Sequence, residues 1–215
     1  MTTVVVATNN AKKLKEIREI LNAITPSLAL LTAKDIALSE PDETGATFHA
    51  NALIKAVAAY ELMGAITLAD DSGLEVDALD GAPGVHSARY AGPSATDADN
   101  NAKLLAALAD VSNRSARYRC VIALVAPTTY ADRLPTARTI STTRGEALTL
   151  DVAGACEGRV VDRPAGAGGF GYDPYMLYPP AGLTFAELSA EAKHAISHRG
   201  QALRALEPHL RALLA

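Results

Sequence analysis

The run Gly166-Ala167-Gly168-Gly169-Phe170-Gly171 satisfies the G-x-G-x-x-G spacing of a dinucleotide-binding turn, yet its flanks exclude that fold. Such a turn needs a strand before it and a helix opening on it. Here Arg163-Pro164 precedes the run and Asp173-Pro174 follows it, where the pre-proline residue disfavours helix. The glycines instead let the backbone approach something closely, with the Phe170 ring and the Asp173 carboxylate carried at the tip. A ring with a fixed hydrogen-bonding group suits a flat heterocycle. A tight turn with Phe170 in the core is the other reading of this segment.

Hydrophobic periodicity places the rest of the chain. Thr3 to Ala7 is a short β-branched run and reads as a buried strand, stopped by Thr8-Asn9-Asn10, where either Asn can cap a helix. That helix carries Leu14, Ile17, Ile20, Leu21 and Ile24 at helical spacing and ends before Pro26. A second helix is predicted from about Thr47 to Met63, and a third from Thr96, with Asp97 and Asp99 in its first turn. Ala65 to Ala69 reads as a strand ending at Asp70-Asp71-Ser72-Gly73, and Tyr118 to Ala126 as a strong strand. Thr128 to Asp151 reads as a hairpin with strands at 137–142 and 146–152 and a mobile turn at Arg144-Gly145. Short strands at 159–161 and 175–177 and a final helix from Arg199 to Leu214 complete the list. The strand-rich middle argues against a purely parallel, doubly wound sheet.

A chain of 215 residues supports one sizeable core, as a single domain or two close lobes. The net charge of -4 offers no global basic field for nucleic acid, so any anion site must be built locally from a few Lys and Arg. Cys120 and Cys156 form neither a C-x-x-C pair nor a disulfide framework, which fits core packing in a reducing cytosol. No apolar run approaches the roughly 18 residues of a membrane span, so a cytoplasmic protein is expected.

Four constellations can carry chemistry. The first helix opens on a loop whose free N–H groups suit phosphate, and Lys12, Lys13 and Lys15 near its start oppose the dipole unless an anion binds there. Asp70-Asp71-Ser72-Gly73 at a strand end suits Mg²⁺, with one aspartate facing the site and the other bracing the loop. Glu40 and Glu43 are further acidic candidates, and Asn51 and Lys55 share a helix face, with Lys55 either reaching a phosphate or lying on the surface. Gly81 to Arg89 is a shaped loop, and His86 has no second His at metal-ligand spacing. Ser197 is a candidate N-cap that puts His198 and Arg199 in the first turn of the last helix, near Lys193. Ser72 is in no G-x-S-x-G elbow, and neither Cys has a His nearby in sequence.

Taken together, five blocks resemble the inosine/xanthosine triphosphate pyrophosphatase family: T-x-N-x-x-K at Thr8 to Lys13, A-D-D-S-G at Ala69 to Gly73, G-A-P-G-V-x-S-A-R-Y at Gly81 to Tyr90, G-x-G-G-F-G-Y-D-P at Gly166 to Pro174, and K-x-x-I-S-H-R-G-Q-A at Lys193 to Ala202. They come in order and span nearly the whole chain. The resemblance implies an α/β fold in one ITPase-like domain over 1–215, with an elongated mixed central sheet flanked by helices and an active-site cleft between two lobes. It implies a homodimer and Mg²⁺-dependent hydrolysis of dITP, ITP and XTP to the monophosphate and pyrophosphate. Carried over by position, Thr8, Asn9, Asn10, Ala11, Lys12 and Lys13 meet the triphosphate, Asp71 is catalytic base and metal ligand with Glu40, and Ser72 lies on the substrate. Phe170, Gly171, Tyr172 and Asp173 form the base-binding loop, with Lys193, His198 and Arg199 as further contacts and Lys55 and Asp70 in support. This chain departs from the family in having Asn9 and Lys12 where Gly is frequent, and in a longer Thr128 to Asp151 region.

The implied mechanism is mostly positioning and electrostatics around the triphosphate, with Lys13 and Lys55 as clamps. A site that hydrogen-bonds a 6-oxo group rejects a 6-amino purine by about 10⁴ or more. Two alternatives stand beside it: a related pyrophosphatase for modified pyrimidine or methylated nucleotides, and a nucleotide-binding module without turnover. The Asp70-Asp71 pair argues against the second, since a pure binder has no need of a water-orienting carboxylate.

Overall fold

The computed structural model describes residues 3–25, 28–39 and 41–215. Among the described residues the strands and α-helices run β1 (Thr3–Val6), α1 (Ala11–Ile24), β2 (Ala29–Thr32), α2 (Phe48–Met63), β3 (Ile66–Val76), α3 (Asp97–Ala107), β4 (Ser115–Pro127), β5 (Arg138–Thr142), β6 (Gly145–Val160), β7 (Met176–Tyr178), β8 (Leu183–Thr184), α4 (Ala190–Ile196) and α5 (His198–Leu214). The strands are hydrogen-bonded in the order β2-β1-β3-β4-β6-β7-β8, with β5 on β6. β1 is parallel to β2 and β3, whereas β5–β6, β6–β7 and β7–β8 are antiparallel. The sheet is therefore mixed, as the strand-rich middle required.

The chain forms two compact units. The first comprises Met1–Asp71, Val121–Ala153 and Gln201–Ala215. Its core packs Ala52, Ala56 and Ala59 of α2 against Val5, Ala69, Ala123, Val125 and Ala147 on the strands. Alanines on that helix face let α2 approach the strands closely enough for Thr67 Oγ1 to donate to the Ala56 carbonyl at 3.0 Å. The second unit comprises Ser72–Cys120 and Gly154–Gly200. Its core gathers Leu74, Val76, Leu104, Leu108, Tyr118, Tyr172, Met176 and Phe185. Cys120 and Cys156 are free and buried, in keeping with a packing role, and burial pushes the Cys156 thiol up to about 11.

The helix starts follow local chemistry. Asn10 caps α1, accepting from the backbone N–H of Lys12 and Lys13 at 3.0 and 3.1 Å. Thr47 caps α2, and Thr96 caps α3 in a reciprocal box with Asp99. Ser197 Oγ accepts from Gly200 N at 3.1 Å at the start of α5.

Several expectations fail for reasons outside local sequence. Asp70-Asp71-Ser72-Gly73 is not the end of a strand but the middle of β3. Gly73 is there because a Cβ would run into the Gly84 carbonyl and Ser87 Oγ of the neighbouring loop. The short strand at 159–161 is the far end of β6, which does not stop at Val152. The hairpin turn predicted to be mobile is tied to α2: Thr143 N donates to Glu61 Oε1 at 2.9 Å and Arg144 Nη1 to the Glu61 carbonyl at 3.0 Å. β2 and α4 carry four and seven residues, too few for a clear periodic signal.

Candidate functional site

In the first unit, α2 presents two polar side chains one turn apart to a single carboxylate. Asn51 Nδ2 donates to Asp71 Oδ2 at 3.3 Å, and Lys55 Nζ to Asp71 Oδ1 at 3.2 Å. The Asn51 orientation is fixed because its Oδ1 accepts from Gly45 N at 2.8 Å. Lys55 is buried and also donates to Glu43 Oε1 at 2.9 Å, which excludes the surface reading of this lysine. Beside them, Lys13 Nζ lies 3.3 Å from Asp70 Oδ2. Alternation along β3 explains the division: Asp70 meets α1's lysine and Asp71 meets α2's.

The electrostatics of this group are tightly coupled. Burial raises the Asp71 pKa above the usual carboxylate value; Lys55 and Lys13 pull it down, while Glu43 and Asp70 push it further up. For Lys55, burial works against the charge, but Asp70, Asp71 and Glu43 overcome it and its pKa rises. Lys55 is therefore held as an ammonium, and Asp71 takes up a proton more readily than an ordinary aspartate. That combination suits a proton acceptor held in place by a cation.

The loop before α1 departs from expectation in one respect. The N–H groups of Lys12 and Lys13 are already taken by Asn10 Oδ1, and Asn10 N donates to Thr8 Oγ1 at 3.3 Å. These amides do not point freely toward an anion. Asn9, Asn10, Ala11 and Lys12 are exposed, and Thr8 is half-buried. Lys15, grouped with the first-turn lysines, instead lies one turn along on the exposed face, 3.9 Å from Glu19.

The carboxylates fit a hard cation only in part. Among the described residues no cluster of three or more His, Cys, Asp or Glu could hold a metal ion by itself. Glu40 lies outside the described residues. Asp71 and Glu43 supply the hard oxygen donors that Mg²⁺ prefers, and Mg²⁺ commonly takes one or two carboxylates plus phosphate oxygens.

In the second unit, Asp173 organises the Gly-rich loop. It is buried, and its oxygens accept from Tyr118 Oη at 3.0 Å, Lys193 Nζ at 2.8 Å and Phe170 N at 2.8 Å. The close approach anticipated from the glycines is to this carboxylate: Gly169 has φ +71°, and a Cβ there would strike Asp173 Oδ2. Phe170 is half-buried, with Lys193 Nζ 5.0 Å from its ring centroid. Tyr172 is turned inward, donating to the Ser87 carbonyl at 2.8 Å. No helix follows the glycine run, so the dinucleotide turn is excluded by structure as by sequence.

His198 and Arg199 point to different partners. The His198 ring stacks on Tyr118 at 4.8 Å and 25°, while Arg199 Nη2 donates to Ser72 Oγ at 2.9 Å. Tyr118, a strand residue by sequence, joins His198 to Asp173. Nothing in its local sequence marks it, because its partners lie dozens of residues away.

The two groups define a protein of one class: an α/β scaffold with a lysine-braced acidic centre suited to phosphate chemistry, and an aromatic loop suited to a planar ring. The model of the Ham1 family matches residues 4–209. The chain is 46% identical over 213 residues to the dITP/XTP pyrophosphatase of Geobacter sulfurreducens, covering 98% of this chain and 97% of that one. Its fold is similar to that of a HAM1 protein from Coxiella burnetii, with a TM-score of 0.82 and 41% identity over 98% of this chain and 99% of the other. The Staphylococcus aureus Ham1 protein gives the same TM-score, 0.82, at 35% identity, covering 99% of this chain and 100% of that one. The chain belongs to the Ham1 family, and the resemblance read from the five sequence blocks is borne out.

Proposed function

We propose that this chain is a nucleoside triphosphate pyrophosphatase that hydrolyses the deaminated purine nucleotides dITP, ITP and XTP to the monophosphate and pyrophosphate. The observation that carries the reading is Asp71, a buried carboxylate made more basic than usual and gripped on both oxygens by Asn51 and Lys55. Asp71 accepts a proton from water as the water attacks the α-phosphorus, and pyrophosphate leaves. Lys13 shares its ammonium between Asp70 and the incoming phosphates. Lys55 draws the Asp71 pKa down against burial and aims the side chain; it acts on the carboxylate rather than as a clamp on the phosphates. Asp71 would hold Mg²⁺ together with substrate oxygens, and the metal would supply charge neutralisation at the phosphates.

The base is read in the second unit. Phe170 stacks on the purine, and His198 and Arg199 supply donors to the 6-oxo group. Asp173 and Tyr118 fix the loop, and Ser72, held by Arg199, meets the substrate next to Asp71 in the chain. We extend the reading to a homodimer in a reducing, cytoplasmic setting, in keeping with two free thiols. No helix among the described residues is long and apolar enough to cross a membrane.

The test is pyrophosphate release with Mg²⁺ from dITP, XTP, dATP, dGTP and dUTP. Fast release from dITP and XTP, with dATP slower by about 10⁴, is expected. Preference for dUTP, or no release from any of them, would overturn the reading. In the same assay Lys13→Ala is expected to raise KM for dITP by about tenfold or more, the equivalent of one charge-assisted contact; an unchanged KM removes Lys13 from the phosphate site.

A further inference from the structure

We infer that Asp97 and Asn101, one turn apart on α3, are positioning residues that clamp the backbone of Gly171 and thereby aim Phe170 at the base. Gly171 N donates to Asp97 Oδ2 at 3.0 Å, and Asn101 Nδ2 donates to the Gly171 carbonyl at 2.9 Å. One helix turn thus holds both hydrogen-bonding groups of a single loop residue. On the N-terminal side of the side chain, Phe170 N is held by Asp173 Oδ2 at 2.8 Å. The backbone is pinned immediately before and after the Phe170 side chain.

The clamp is needed because the loop cannot fix itself. Gly171 has φ +63°, a region that glycine enters and leaves at little cost. Without an external hold, rotation about Gly171 would swing the Phe170 ring. Asp97 sits at the first residue of α3, where the helix dipole favours a carboxylate. Asn101 is buried, and its amide orientation is set by two acceptors, the carbonyls of Asp97 at 2.8 Å and Gly171. Its Oδ1 meets no hydrogen-bond donor among the described residues. A buried acceptor left unmet costs stability, so a side chain chosen for packing alone would be apolar here. The amide is explained by what its Nδ2 holds.

This inference rests on the assignment of Phe170 to the base, and its test separates the two. The chain contains no Trp, so Phe170→Trp installs a single reporter on the loop. Titration with dITP in the absence of metal reads stacking as a fluorescence change, without turnover. In that background Asp97→Ala and Asn101→Leu are each expected to raise the dITP Kd about tenfold, the loss of one hydrogen bond to a positioned group. Asp97→Asn, which keeps an acceptor oxygen for Gly171 N, is expected to stay within about threefold of the parent. With Phe170 in place, Asp97→Ala and Asn101→Leu raise KM for dITP while kcat stays within about twofold, because Asp71 is untouched. An unchanged Kd in both variants overturns the clamp while leaving the pyrophosphatase reading intact. Equal loss of kcat together with a lowered Tm, not restored by Asp97→Asn, would reduce the pair to a structural role. No fluorescence response to dITP in Phe170→Trp itself would remove the base from Phe170 and the clamp with it, whatever the pyrophosphate assay gives.

Discussion

Asp71→Asn is expected to lower kcat for dITP by about 10³ or more, within the range that a positioned general base supplies, while the protein folds and melts nearly as before. The amide is isosteric with the carboxylate and keeps an oxygen for Asn51 Nδ2 or Lys55 Nζ. Lys55 loses one charged partner but keeps Glu43 at 2.9 Å, so no buried ammonium is stranded. What disappears is the proton acceptor, whose basicity burial had raised. Steady-state pyrophosphate release and a thermal melt on the same preparation check this. Full activity in the variant would sink the assignment of Asp71. A collapse in Tm would mean that the carboxylate is primarily structural.

Asp173→Ala is expected to be the most damaging change in the second unit, on stability and on recognition together. It deletes the acceptor of three donors at once: the Tyr118 hydroxyl, the Lys193 ammonium and the Phe170 amide. Removing one partner of a buried ion pair costs about 3–5 kcal/mol, which for a chain of this size lowers Tm by roughly 6–20 °C. The same deletion frees Phe170 N and Lys193 together, so kcat/KM for dITP should fall by about 10² or more, chiefly through KM. Tyr118→Phe removes a single one of these bonds and should cost about 1 kcal/mol. If Asp173→Ala melts and turns over like the parent, the loop is held by something other than this carboxylate.

The local chemistry of the chain was legible in its sequence. A cap needs only three or four neighbouring residues, so Asn10, Thr47, Thr96 and Ser197 mark their helix starts in the linear text. The long helices and the strong strands follow from periodicity, and the flanking prolines rule out the dinucleotide turn. The residue types at the candidate site were legible too, because two adjacent aspartates, a first-turn lysine and a glycine-bound phenylalanine are unusual company. The D-D-S-G run has the composition of a turn, whereas β3, paired between β1 and β4, runs straight through it.

What only the tertiary structure decided is which charge meets which. Sequence names Lys13, Lys55, Asp70 and Asp71 but does not say that α1's lysine pairs with Asp70 and α2's with Asp71. Nor does it reveal Tyr118, which a 55-residue separation hides from Asp173, or the hold of α3 on Gly171 across 70 residues. The physical reason is range. Propensity, capping and periodicity act over a few residues and are written in the order of the chain. Burial, and the pKa values and hydrogen bonds that burial makes strong, depend on groups brought together only once the strands have paired and the helices have packed on them.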